Sequence, residues 1–370
     1  MVQTPHGIVV VYVPNERYGS PHEQVTRAEI ARRLASLKGF DFADAYDNAK
    51  SHTGPVYIVP SDTLVGLGAA HALGIHSEHD LFGGVVPYPF VATKAITHPL
   101  IEPSVAAPAG WSYELGERIQ EAVLFGFSAF TLEDARDAGA RLLEHGPVRI
   151  KPVRETGGLG QTVVAEATAL ERALTALHPA ELSNYGLVLE ESLTEVTTFS
   201  VGQVRVADLV ATYYGTQRLT PNKIGAAVYG GSDLVVVRGD FDALLALDLS
   251  EAARLAITQG RAYDAAAREV FPGMIVSRCN YDVAQGVDAH GRQRSGVLEQ
   301  SWRLGGASGA EIATLEAFRA DPKLRAVRAS TIEIHGNSEP PPHATVYFRG
   351  IDEQVGPMTK YALVEPYDNP

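Results

Sequence analysis

A mixed α/β and α+β architecture of several lobes is what this sequence predicts, and three observations carry that expectation. At 370 residues the chain exceeds one small core, since domains commonly hold roughly 100 to 200 residues. Its opening reads as strand then helix, the start of a small parallel sheet. Its later part sets apolar strands directly before glycines or acids, and several lobes sharing a cleft are the prior for a chain of this length.

Composition narrows the classes. A hydrophobic fraction of 45% beside a charged fraction of 20% is that of a globular chain with a buried core, not of a disordered one. Thirty-one Lys and Arg against 44 Asp and Glu give a net charge of -13. That field opposes a phosphate backbone or an anionic membrane, so neither nucleic acid nor membrane is an expected partner. A bound nucleotide then requires cations and a metal concentrated locally. Cys279 is the single cysteine, which excludes an intramolecular disulfide and a cysteine-built zinc or iron-sulfur site. The first six residues carry no basic stretch, and the apolar run Ile8 to Val13 is far shorter than a membrane span. Residence in a reducing cytoplasm is the expectation.

In chain order, the β-branched run Ile8 to Val13 predicts a strand that stops at Pro14, and a helical pattern follows over about 24–37. Val56 to Val59 predicts a second buried strand, ended by Pro60. Residues 81–110 are rich in Gly and Pro and read as a connection between lobes that carries Lys94. Thr131 is a good N-cap for a helix over about 132–144, closed by Gly146-Pro147. Val148 to Val153 and Thr162 to Val164 predict a hairpin whose tip holds Gly157, Gly158 and Gly160. A helix around 170–177 precedes the strand Tyr185 to Leu189. Long β-rich stretches span about 198–218 and 234–238, and a helix covers about 250–270. Strands at 274–278 and 296–299 and a helix over 308–318 close the organised part. Beyond Asp321, Thr331 to Ile334 and Ala344 to Phe348 predict an appended C-terminal β segment. The division this suggests is 1–100, 101–185, 186–320 and 321–370.

Three constellations could carry chemistry. In Arg149 to Gln161 a strand-borne cation, Lys151, precedes glycines whose N–H groups can turn around phosphate oxygens; the alternative is an ordinary hairpin. In Leu187 to Leu193 an apolar strand delivers Glu190 and Glu191, an edge able to receive an adenine amino group or simply to run out into solvent. In Arg278 to Ser308, Asp282 and Glu299 could face one another on adjacent strands, and two hard oxygen ligands suit Mg²⁺. Alternation places Ser301 and Arg303 on the Glu299 face, with Gly305-Gly306 and a helix N-terminus beside them. A surface ion-pair ladder is the competing reading.

The order of these constellations, over roughly residues 85 to 320, resembles the ATP-grasp superfamily, and within it an uncharacterised bacterial family. The first lobe resembles the small α/β domain that precedes the grasp. The resemblance implies ATP and Mg²⁺ as cofactors. It implies Lys94 and Lys151 on the phosphates, Gly157, Gly158, Gly160 and Gln161 in the phosphate lid, and Glu190, Glu191 and Leu193 as the adenine hinge. Asp282, Glu299 and Ser301 would be the metal ligands, with Ser301 where the family usually has Asn, and Asn280 is the alternative to Asp282. Arg303, with Lys151, would serve catalysis by stabilising an acyl-phosphate. The acid usually found near the ribose has no clear counterpart between Glu195 and Thr198. The implied activity is a carboxylate-amine ligase acting on a small-molecule carboxylate and a nucleophile; a nucleotide sensor without catalysis and a small-molecule kinase are the rivals. The acid, the nucleophile and the assembly state, a homodimer included, stay open.

Two near-motifs weigh against other classes. Val65 to His71 lacks the third Gly of a dinucleotide fingerprint, and no P-loop occurs. The 12 histidines contain no His-Glu-x-x-His pair, so a zinc site is not expected. Tyr213 to Arg218 either lines an acceptor pocket or packs into the core.

Overall fold

The computed structural model describes residues 6–14, 20–48, 50, 52–102, 106–154, 160–221, 225 and 227–367. The first lobe is built from β1 (Ile8–Tyr12), α1 (Pro21–Lys38), β2 (Asp41–Ala45) and β3 (Val56–Pro60). Its parallel sheet has the order β2-β1-β3. Helix α1 starts with Pro21 in its first turn and stops at Gly39, whose φ of 67° ends the helix without the Cβ penalty another residue would meet.

The glycine- and proline-rich stretch that follows is packed, not extended. Strand β4 (Leu64–Val65), α2 (Leu67–Ala72) and β5 (Gly84–Val86) lead into two 3₁₀ turns, Pro89–Ala92 and Lys94–Thr97. Phe90, Val91, Ala95 and Ile96 are buried in the largest core cluster. Gly84 lies so close to Trp302 that a Cβ on it would come within 2.7 Å of the Trp302 Cβ, so this glycine serves close packing. Helix α3 (Tyr113–Arg118) completes the passage.

The small lobe comprises β6 (Gly126–Ala129), α4 (Leu132–Leu143), β7 (Val148–Pro152), β8 (Thr162–Val164), α5 (Ala167–Thr175), α6 (Pro179–Tyr185) and β9 (Leu187–Glu191). Thr131 Oγ1 caps α4 by accepting from the Asp134 N–H at 3.1 Å, as the sequence suggests. The sheet order is β6-β9-β7-β8, and Gly126 at the start of β6 pairs with Glu190 near the end of β9. By pairing, β9 thus belongs to the small lobe, whereas a division at residue 186 assigns it to the large one. The hairpin β7–β8 has the expected antiparallel register, with Ile150 opposite Thr162.

The large lobe adds β10 (Thr194–Val206), β11 (Leu209–Pro221), β12 (Ala227–Arg238), α7 (Phe241–Leu245), α8 (Glu251–Val270), β13 (Ile275–Val276), β14 (Arg278–Val287), β15 (Gln293–Ser301) and α9 (Ser308–Ala320). The C-terminal β segment supplies β16 (Ala326–Ile334), β17 (Thr345–Asp352) and β18 (Gly356–Pro366), the last unforeseen in the sequence. These three strands extend the large sheet, whose eight strands run β15-β14-β10-β11-β12-β16-β18-β17. Helices α1 and α9 bury one face of it: Ile30, Leu34, Ile312, Leu315 and Phe318 share a core with Val236, Val327, Tyr347 and Ala362. Among the described residues no helix is long and apolar enough to cross a membrane.

Candidate active site

The cleft between the small and large sheets holds most of the residues that the sequence singles out. Strand β7 presents Lys151 and neighbouring β9 presents Glu190, both almost fully buried. Lys151 Nζ donates to Glu190 Oε1 at 3.0 Å, to Glu190 Oε2 at 3.1 Å and, across the cleft, to the Leu298 carbonyl at 3.2 Å. His98, directly after the second 3₁₀ turn, places Nε2 at 3.1 Å from Glu190 Oε2. Burial pushes the Glu190 carboxyl pKa up, but Lys151 and His98 outweigh it and hold the group at about 2. Burial also lowers the Lys151 ammonium pKa, against the pull of Glu190.

The opposite wall carries two acids. Asp282 on β14 and Glu299 on β15 are direct register partners, as their positions on adjacent strands suggest. Lys94 Nζ forms an ion pair with Glu299 Oε2. Burial raises the Asp282 pKa, the Glu299 charge adds to it, and together they bring it to about 6. Glu299 meets the same burial, yet Lys94 and Lys151 pull its pKa down. The two carboxyls are therefore pushed in opposite directions by their surroundings.

The cleft measures about 270 Å³ and is lined by Lys151, Gln161, Glu190, Glu191, Leu193, Asp282 and Glu299, together with Arg149, Thr198 and Gln217. Glu191 turns to Arg294, which grips its Oε1 at 2.8 Å, and to the Phe125 N–H at 2.9 Å. Gln161 Oε1 accepts from Arg149 Nη1 at 3.2 Å. Gly157 and Gly158 lie outside the described residues, while Gly160, with φ 68°, is the exposed residue from which the chain enters β8. Ser301 ends β15, and its hydroxyl accepts from Arg278 Nη1 at 3.2 Å. Arg303 lies past the end of β15 with Nε 3.6 Å from Asp62 Oδ1 of the first lobe. Among the described residues no group of three or more His, Cys, Asp and Glu is placed to hold a metal ion. A cation held by Asp282 and Glu299 would accordingly complete its shell with phosphate oxygens and water, as suits Mg²⁺.

Sequence reasoning missed His98, because an isolated histidine four residues after a lysine matches no spacing rule. Gln217 fell within the stretch considered for an acceptor pocket. Of that stretch Tyr213 is fully buried, whereas Gln217 faces the cleft.

With this geometry established, comparison with known proteins is informative. One family, described as a protein of unknown function (DUF3182), matches residues 10–362. The chain belongs to this family. No curated protein matches it. Among solved structures, an N5-carboxyaminoimidazole synthetase from Staphylococcus aureus superposes with a TM-score of 0.53 at 12% identity, over 98% of this chain and 94% of that one. The ADP complex of the enzyme so named superposes at 0.52 and 10% identity, covering 100% and 95%. The ADP complex of an N5-carboxyaminoimidazole ribonucleotide synthetase gives 0.51 at 13% identity, covering 98% and 93%. At such identities the likeness is one of fold. This DUF3182 member has the ATP-grasp fold over nearly its whole length, with the preceding α/β domain and the C-terminal β segment in place.

Proposed function

We propose that the cleft binds Mg²⁺-ATP and transfers its γ-phosphoryl group to a substrate carboxylate, and that an amine or similar nucleophile then displaces phosphate from the acyl-phosphate. The products are ADP, phosphate and the joined substrate. The observation that carries this reading is the convergence of Lys94 and Lys151 with the Asp282–Glu299 pair in one cleft between two sheets. Phosphoryl transfer asks little covalent chemistry of a protein, so positioned charge supplies most of the catalysis.

Lys151 and Lys94 neutralise phosphate oxygens once their present carboxylate partners release them. Glu190, Glu191 and Leu193 border the adenine, Gly160 and Gln161 cover the phosphates, and Arg303 stabilises the activated carboxylate. Asp282 and Glu299 hold the metal, with Ser301 beside them. Mg²⁺, when bound, neutralises charge developing on the transferred group.

Calorimetric titration of ADP with and without Mg²⁺ tests the reading. Metal-dependent binding that Glu299→Gln abolishes is the expected result. Because a lone Lys151 substitution leaves Glu190 buried without its main counterion, the paired change Lys151→Met with Glu190→Gln is the better test of the phosphate contact, and loss of ATP affinity is expected. No nucleotide binding under any condition would overturn the proposal. ADP release with carboxylate and amine pairs then separates a ligase from a nucleotide sensor.

A further inference from the structure

Asp282 is held by more than its strand. Its Oδ1 accepts from Asn280 Nδ2 at 2.9 Å, from Gln217 Nε2 at 3.0 Å and from Ser200 Oγ at 3.4 Å, three donors on three strands. All converge on Oδ1, so the carboxylate plane is fixed and Oδ2 is the oxygen left for a cation.

Asn280 is itself fixed from behind. The Tyr213 hydroxyl, from β11, donates to Asn280 Oδ1 at 3.0 Å and to Glu311 Oε1 at 2.6 Å, two acceptors sharing one proton. To reach Asn280 it crosses β10 at Gly202, the register partner of both residues, where a Cβ would come within 2.4 Å of the Tyr213 oxygen. Glu311 on α9 is fully buried, and Arg278 neutralises it through Nη2 at 2.8 Å and Nε at 3.1 Å. The remaining guanidinium nitrogen, Nη1, donates to Ser301 Oγ and O, each at 3.2 Å, and to the Arg303 carbonyl at 2.6 Å.

Two consequences follow for the candidate ligands. The Asn280 amide turns its oxygen towards Tyr213 and its nitrogen to Asp282, so it orients a ligand and is not one. The Ser301 hydroxyl oxygen is engaged by a guanidinium, and a neutral oxygen already accepting from a cation is a poor partner for a second, doubly charged one.

Resting on the proposed metal-nucleotide site, we infer that the metal is held by two carboxylates only, Asp282 and Glu299, with Asn280 and Gln217 as positioning residues for Asp282 and Ser301 excluded from the coordination shell. The test is a titration of Mn²⁺ into the protein with ADP, free Mn²⁺ being read by electron paramagnetic resonance, beside ADP affinity without metal and the melting temperature. Asn280→Ala and Gln217→Leu each weaken Mn²⁺ by about tenfold, while metal-free ADP affinity stays as in the unaltered protein for Asn280→Ala, whose side chain is not part of the cleft lining. Ser301→Ala keeps Mn²⁺ affinity within about twofold, since no coordination bond is lost. If Asn280→Ala does not fold, Gln217→Leu on the half-buried cleft wall decides. Unchanged Mn²⁺ affinity in the Asn280 and Gln217 variants, or a tenfold loss in Ser301→Ala, overturns the inference and leaves the nucleotide site standing. An unaltered protein that shows no Mn²⁺-dependent ADP binding overturns both.

Discussion

Glu190 carries its charge inside the protein because Lys151 and His98 surround it, and this makes stability depend on pH in a defined direction. A carboxyl whose folded pKa is depressed stabilises the fold above its ordinary pKa, and that contribution is lost as pH falls through the folded value. With a shift from 4.5 to about 2, the loss falls between those two pH values. Glu190→Gln removes this dependence and leaves Lys151 buried without its main counterion, which costs about 3 kcal/mol at neutral pH. Urea unfolding at pH 7, 4 and 3 checks both parts; an acid profile as steep as that of the unaltered protein would contradict the assignment. Lys151, Glu190, Asp282 and Glu299 were legible in the sequence because strand alternation and an abrupt change from apolar to charged residues locate them. The hydrogen bonds of Asn280 and Ser301 were not, since they depend on which way an amide and a hydroxyl turn, and partners distant in sequence such as Tyr213 and Arg278 decide that.

Between elements, the strand trio β11, β10 and β14 works because its middle member yields space. Gly202→Ala would press a methyl group on the Tyr213 hydroxyl and on the Cys279 carbonyl, each 2.4 Å from the added atom. Overpacking of this kind costs about 2 kcal/mol. The expected result is a lower melting temperature together with weaker Mn²⁺ binding, read by calorimetry, and an unchanged melting temperature would show that the sheet absorbs the strain. Helices α1, α4, α5, α8 and α9 and the β7–β8 hairpin could be placed from sequence by apolar periodicity and turn residues, whereas the short helices α2, α3, α6 and α7 were missed. Strand β18 was missed: Thr359, Lys360 and Glu365 interrupt its apolar alternation, although Met358 and Ala362 are buried. The stretch 81–110 misled for a related reason, since glycine needed for contact with Trp302 looks in sequence like glycine needed for a linker.

Over the whole molecule, the C-terminal strands are tied back to the beginning of the chain. Asp352, at the end of β17, accepts from the His22 backbone N–H and lies 2.9 Å from His22 Nδ1 on α1, while its other oxygen takes the Gln354 and Val355 N–H groups. Those donors, acting against its burial, hold the Asp352 carboxyl well below its ordinary pKa. Removing residues 326–370 would strip Val327, Ala329, Tyr347 and Ala362 from the core shared with α1 and α9. Insoluble or molten protein is expected, checked by near-ultraviolet circular dichroism; a truncated chain with native tertiary signal would show the segment to be dispensable. The pairing of Gly126 with Glu190 has a mechanical side as well. The chain enters and leaves the small lobe on the neighbouring strands β6 and β9, and the turn Lys94–Thr97 is tied to β6 by the Ser128 hydroxyl, which donates to the Ala95 carbonyl at 2.6 Å. Lys94 therefore stands at the seam, its turn held by the small sheet and its ammonium paired with Glu299 of the large one, so a polyanion in the proposed site would meet charge from both bodies and act as a clasp between them.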